Sequence, residues 1–177
     1  RADILNADNA WTLRHLAYCH KQNGTYAQAL EYYKKLETTS PEDLSIATHI
    51  GECYLKMNEY EQALNYFFKV EFLSPNPNHA RRAIAWCYFC LDKADSATKY
   101  YSQLLKDDHP QKQDWLNMGH VYLTHDKTSK ALKYYSKAKE YYKEHTDFIE
   151  WFKEDIPYLK QFGVTEEDIQ ITLDLLI

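Results

Sequence analysis

The sequence predicts an all-α solenoid of four helical hairpins, and three residue columns carry that prediction. A small residue recurs every 34 positions as Ala17, Gly51, Ala85 and Gly119. Alanine recurs in the same step at Ala29, Ala63, Ala97 and Ala131, followed by an aromatic pair at Tyr32-Tyr33, Tyr66-Phe67, Tyr100-Tyr101 and Tyr134-Tyr135. An apolar column of Leu16, Ile50, Ile84 and Met118 runs beside them. Columns this regular mark one supersecondary unit copied in tandem, whose apolar face is buried only by stacking on its neighbours.

The elements follow in order. Residues 1–9 read as the tail of a truncated preceding repeat, because Ala2, Leu5 and Ala7 fall where Val70, Leu73 and Pro75 fall in the second copy. On that reading the chain is the carboxy-terminal part of a longer array. Four units are expected at 10–43, 44–77, 78–111 and 112–145, each of two amphipathic helices. In the second, Ile46, Ile50, Cys53, Tyr54 and Met57 form one helical stripe. Asn58-Glu59 breaks it, and Tyr60, Ala63, Leu64, Phe67 and Phe68 form the next. Ser40-Pro41-Glu42-Asp43 reads as a helix start, with serine as N-cap, proline in the first turn and two acids suited to the dipole. Gly24 suits the turn inside unit one, and Pro75, Pro77 and Pro110 mark later boundaries. Gly51 and Ala63 are expected to let the paired helices cross closely, with Tyr54 and Phe67 filling the wedge beside them.

After residue 145 the columns fail, with Lys153 at the small position and Ile156-Pro157 at the tyrosine pair. Residues 146–177 therefore read as a carboxy-terminal cap. It comprises a helix to Phe162 with a kink or break at Pro157, a stop at Gly163, a capping box at Thr165 to Asp168 and a last helix.

Composition narrows the function. The net charge of −5 argues against a nucleic-acid binder, which needs a basic stripe, and no apolar run is long enough to span a membrane. Cys19, Cys53 and Cys87 share a column, and stacked helices hold such residues roughly 8–10 Å apart. A disulfide needs Cα atoms within about 7 Å. The cysteines are expected to be reduced, small and buried, which favours a cytoplasmic setting.

The columns resemble the tetratricopeptide repeat, most fully at Trp115, Met118-Gly119, Tyr122, Ala131 and Tyr135, and nearly as well at Ile50-Gly51, Tyr54, Ala63, Phe67 and Pro75. His20, Arg81 and Lys143 depart from the pattern. The resemblance implies a right-handed superhelix whose concave face is lined by the first helix of each unit. It also implies a non-catalytic module that binds an extended peptide or a helix of a partner protein there.

The expected groove residues are Trp11, Arg14, His15 and Tyr18 in unit one, and His49 and Glu52 in unit two. Unit three offers His79, Arg82, Trp86 and Phe89, and unit four Asn117 and His120 beside Gln113. Aromatic residues and arginine among hydrogen-bonding groups suit peptide recognition. Arg14, Lys21, Lys56 and Arg82 against Glu52 make the groove locally positive, which points to a partner segment of acidic or carboxylate character. The carboxylate clamp of co-chaperone relatives is not matched, because its positions hold Arg14 and Tyr18, His49, then His79 and Ala83.

No cofactor, metal or catalytic residue is expected. His15/His20 and His120/His125 are each five apart, roughly 140° around a helix, so neither pair converges on one ion. Cys87-x-x-Cys90 lacks the second pair of a zinc site, and no phosphate-cradling glycine loop, GxSxG or HExxH occurs. Two other readings stand beside peptide binding: self-association into a homodimer, and a sensor whose occupancy controls an effector domain outside this chain.

Overall fold

The computed structural model describes residues 9–141 and 145–176. The reading of residues 1–9 as the tail of a preceding repeat thus falls, except for Asn9, outside the described residues. Within them the chain is helical and contains no strand. Eight helices follow as four consecutive pairs: α1 (Ala10–Gln22) and α2 (Tyr26–Thr39), α3 (Leu44–Lys56) and α4 (Tyr60–Leu73), α5 (Asn78–Cys90) and α6 (Ala94–Leu104), and α7 (Lys112–Leu123) and α8 (Thr128–Lys139). Two further helices follow, α9 (His145–Gln161) and α10 (Glu166–Asp174). The chain divides into two compact units, Arg1–Cys87 and Tyr88–Ile177, which are described separately.

Each hairpin turns through one left-handed residue, at Gly24 (φ +74°), Asn58 (+60°), Asp92 (+58°) and Asp126 (+57°). These four again lie one repeat apart. Asn and Asp are the side chains that tolerate this conformation best after glycine. The turn is therefore written in the sequence as a mixed Gly/Asn/Asp column.

The small column seats an aromatic ring of the second helix. The atoms nearest to a Cβ built on Gly51 belong to the Phe67 ring (2.9 Å), and those nearest Gly119 belong to the Tyr135 ring (2.3 Å). The small residue is thus a seat for the second-helix aromatic, and Tyr33, Phe67, Tyr101 and Tyr135 are all buried. In the first unit the core around Tyr33 joins Leu13, Ala17, Ala29, Leu36, Ile46 and Ile50.

The tyrosine just before each seated ring packs outside the core. It pairs with an aromatic of the first helix: His20–Tyr32 (5.5 Å), Tyr54–Tyr66 (5.9 Å), Tyr88–Tyr100 (5.9 Å) and Tyr122–Tyr134 (5.3 Å).

Three local expectations are corrected. The helix expected from Ser40 begins at Leu44, because the Asp43 carboxylate accepts from the Ser45 N–H (2.9 Å) and hydroxyl (2.6 Å) and is the true cap. Ser40 instead closes α2, its N–H donating to the Leu36 carbonyl. Helix α9 continues through Pro157. An interior proline costs about 3 kcal/mol, but burying a large apolar side chain returns about 1.5–3 kcal/mol, and Phe148, Phe152 and Leu159 on this helix are fully buried. Of the cysteines, all free, Cys53 and Cys87 are buried but Cys19 is exposed on α1, where no described helix covers it. The capping box at α10 forms as read, Thr165 N–H donating to Asp168 (3.0 Å) and Asp168 N–H to Thr165 Oγ1 (3.1 Å).

The two glycine seats predict different outcomes for the same change. Alanine improves helix propensity by about 1 kcal/mol, while overpacking costs about 1–3 kcal/mol. At Gly51 the contact is marginal, so Gly51→Ala is expected near break-even. At Gly119 the approach is far closer and Tyr135 is held by a hydrogen bond from its hydroxyl to His120 (2.8 Å). Gly119→Ala is therefore expected to lower the urea midpoint clearly, and equal midpoints for the two variants would refute the seat.

Candidate functional site

In the first unit, three successive first helices bring their inner residues around one groove of about 580 Å³. Helix α1 supplies Lys21, α3 supplies Glu52, Leu55 and Lys56, and α5 supplies His79, Arg82, Ala83 and Trp86, over a floor of Tyr26 and Phe67. A smaller recess of about 240 Å³ lies between Arg14, His15, Tyr18, Tyr33 and His49. Of the expected residues, Trp11, Arg14, His15 and Tyr18 are exposed on α1, His49, Glu52, Arg82 and Trp86 are half-buried, and His79 is exposed. Trp11 stacks near His15 (3.9 Å between rings), and the His15 ring also meets the Trp11 carbonyl.

The centre of this groove is an ionic hub. The Glu52 carboxylate accepts from Lys21 and lies 3.2 Å from His49 Nδ1 and 3.2 Å from His79 Nε2. Burial alone would push the Glu52 carboxyl up, but the hydrogen bonds from His49, His79 and Lys21 outweigh it and hold the group well below its ordinary value. Arg14 is likewise committed, bonded to Asp43 at 2.6 Å. Ser45 first, then Arg14, draw Asp43 down to about 2. The expected positive groove is thus partly neutralised, and Lys56 remains as an exposed cation on its wall.

In the second unit the expected inner residues are not exposed. Phe89, Asn117 and His120 are all buried, which corrects their reading as solvent-facing. Helix α9, with Phe162 just beyond its end, covers Phe89 and His120. Phe152 packs edge-on against His120 (5.3 Å) and Tyr135 (5.2 Å), and Phe162 meets Phe89 (5.2 Å).

Asp155 lies 3.2 Å from His120 Nε2 and 3.5 Å from the Gln113 amide, which also donates to Asn117 (2.9 Å). A carboxylate only accepts, so Nε2 donates to Asp155, while Nδ1 shares a hydrogen bond with the Tyr135 hydroxyl (2.8 Å). His120 is a buried structural link here.

Sequence reasoning missed Leu55 and Asp155. Lys21 and Leu55 share a repeat position with Phe89, so one column would have found all three. Asp155 sits between Phe152 and Leu159 on the apolar stripe of α9, and an acid in that place requires a partner. Among the described residues no three His, Cys, Asp or Glu side chains form a metal-binding group, and no helix is long and apolar enough to cross a membrane.

The Glu52 hub predicts a pH dependence. In the unfolded chain this carboxyl titrates near its ordinary 4.5, and in the fold it titrates lower. Its contribution to stability is therefore complete above about pH 4.5 and drains away as pH falls below that. Glu52→Gln is expected to be less stable at neutral pH and to show a shallower acid limb, read from urea midpoints between about pH 5 and pH 2. Parallel limbs in the two proteins would remove Glu52 from the hub.

Comparison with known proteins places this geometry. A family profile described as anaphase-promoting complex, cyclosome, subunit 3 matches residues 4–70, and a tetratricopeptide-repeat profile matches residues 115–145. No curated protein matches the chain in sequence. Among solved structures, the tetratricopeptide-repeat protein TTC0263 of Thermus thermophilus is 22% identical over 85% of this chain and 83% of its own, with a TM-score of 0.67. MamA (41-end) of Desulfovibrio magneticus RS-1 is 16% identical over 75% of each chain, with a TM-score of 0.69. The Rap conjugation gene regulator of plasmid pLS20, solved with the Phr* peptide, is 16% identical over 94% of this chain and 53% of its own, with a TM-score of 0.68. The repeat columns and the solved neighbours agree on a tetratricopeptide-repeat fold, and residues 115–145 match the tetratricopeptide-repeat family itself.

Proposed function

We propose that the chain is a non-catalytic interaction module whose first-unit groove binds a short segment of a partner protein. The observation that carries this reading is the meeting of an apolar wall with fixed charge in one concavity of about 580 Å³. Leu55, Ala83 and Trp86 offer a seat for one apolar or aromatic side chain. Lys56 and Arg82 line the same wall and favour a carboxylate next to it, which gives the partner segment its acidic character. The Glu52 hub holds Lys21, His49 and His79 in place, so the groove is largely organised before binding, which lowers the entropic cost of association. A fold neighbour solved in complex with a peptide supports peptide binding as a use of this fold.

A second reading is self-association. It is favoured by the exposed apolar face of α4, where Phe72 is 87% accessible beside Phe68 and Leu73. Light scattering separates the two, since a monomer at high concentration removes the dimer.

Selection from a random peptide display library tests the groove directly. Enriched sequences are expected to pair an aromatic with Asp or Glu. The Arg82→Ala, Trp86→Ala double variant is expected to bind them about tenfold or more weakly. Undiminished binding by that variant would place recognition elsewhere. Enrichment without acidic residues would withdraw the acidic preference alone.

A further inference from the structure

Helix α8 is out of keeping with the rest of the chain. Lys127 precedes it and Lys130, Lys133, Lys137 and Lys139 lie on it, with no acidic residue from 127 to 139, in a protein of net charge −5. Two of these lysines stand at the amino end, where the helix dipole disfavours cations. Lys137 pairs with Glu140 and Lys139 donates to the Leu176 carbonyl (2.5 Å), which accounts for those two lysines within the fold.

Beside these lysines the external aromatic pair of the hairpin is extended by a third ring. Tyr122 stacks on Tyr134 at 5.3 Å and 16°, and Trp115 lies 6.1 Å from Tyr134. The three rings, with Lys130, Lys133, Lys137 and Ser136, line a groove of about 650 Å³. The Lys130 ammonium stands 5.4 Å over the Tyr122 ring, and Lys137 is paired with Glu140 (2.9 Å). Neither Lys130 nor Lys133 meets a carboxylate among the described residues. The Trp115 indole N–H, in the same lining, is buried with no acceptor among the described residues. A buried donor left without a partner is costly, and an incoming acceptor would satisfy it.

We propose that this groove is a second binding site, for an extended acidic peptide segment that carries an aromatic residue. Carboxylates lie along Lys130 and Lys133, the aromatic ring stacks on the Tyr122–Tyr134 pair, and an oxygen of the segment accepts from the Trp115 indole. A lone phosphate group fits less well, because Lys130 to Lys137 spans about 10 Å of helix, a length that two or three extended residues match. A nucleic acid is disfavoured by the negative charge of the whole chain. The site is independent of the first-unit groove.

The test is fluorescence anisotropy of the full chain with a short labelled peptide alternating glutamate and tyrosine. Its glutamine counterpart is the neutral control. The acidic peptide is expected to bind, to weaken as salt rises, and to bind about tenfold more weakly to Lys130→Glu, Lys133→Glu. Trp115→Phe keeps a ring but removes the N–H and is expected to weaken binding by about threefold. Circular dichroism confirms that the lysine variants, altered only at exposed positions, remain folded. Equal binding of the glutamine peptide, or unchanged affinity in the double-lysine variant, overturns the proposal. A loss seen with Arg82→Ala, Trp86→Ala instead would assign the peptide to the other groove. Displacement by an equal concentration of inorganic phosphate, or tighter binding to phosphatidylserine vesicles, would overturn it in favour of a simple anion or a membrane surface.

Discussion

The structure depends on one packing relation: an aromatic ring from the second helix of a hairpin lying on a residue too small to push it away. Phe67 over Gly51 and Tyr135 over Gly119 show it at closest approach. Once the ring is seated and the turn is fixed by its left-handed residue, the two helices of a hairpin have one way to cross. The inner face of each first helix is then presented by geometry, whatever side chains it carries. One repeat position can therefore take unrelated tasks. Tyr18, Glu52, Trp86 and His120 share a column, yet they serve as an exposed ring, an ionic hub, a groove wall and a buried link.

That separation explains what could be read in advance. The columns at Ala29 or at Tyr33 are legible because the constraint behind them repeats with the chain, and each copy reports it again. The helix pairs followed from those columns. The turn column was equally present but hidden by its mixed chemistry, since Gly24, Asn58, Asp92 and Asp126 share a backbone requirement and not a side-chain class. The start of α3 was misplaced because two capping signals stood three residues apart. The carboxylate of Asp43, reaching both the backbone and the side chain of Ser45, prevailed.

The candidate site was legible only as a face. Repeat position says which side of a helix is inner; it does not say what lies over it. Phe89, Asn117 and His120 were placed on the correct side, and α9, with Phe162 just beyond its end, then covers Phe89 and His120. The missing information sat in a segment without repeats, in an acid on an apolar stripe. Asp155 belongs there because His120 and Gln113 meet it, a relation between residues 35 and 42 positions apart that no local pattern encodes.

Charge was the least legible quantity, because counting cations says nothing of which are already spent. Arg14 and Lys21 were counted toward a positive groove, yet Asp43 and Glu52 hold them. A partner carboxylate arriving there competes with an existing ion pair, and the net gain shrinks to the difference between the two. Such cations select by geometry more than they attract. The lysines of α8 are in the opposite condition. Among the described residues Lys130 and Lys133 have no carboxylate to leave, so an acidic ligand keeps whatever Coulomb energy survives screening. On the two proposals, the same arithmetic predicts that the first groove discriminates more between partners and that the aromatic and lysine groove at α8 is the more salt-sensitive.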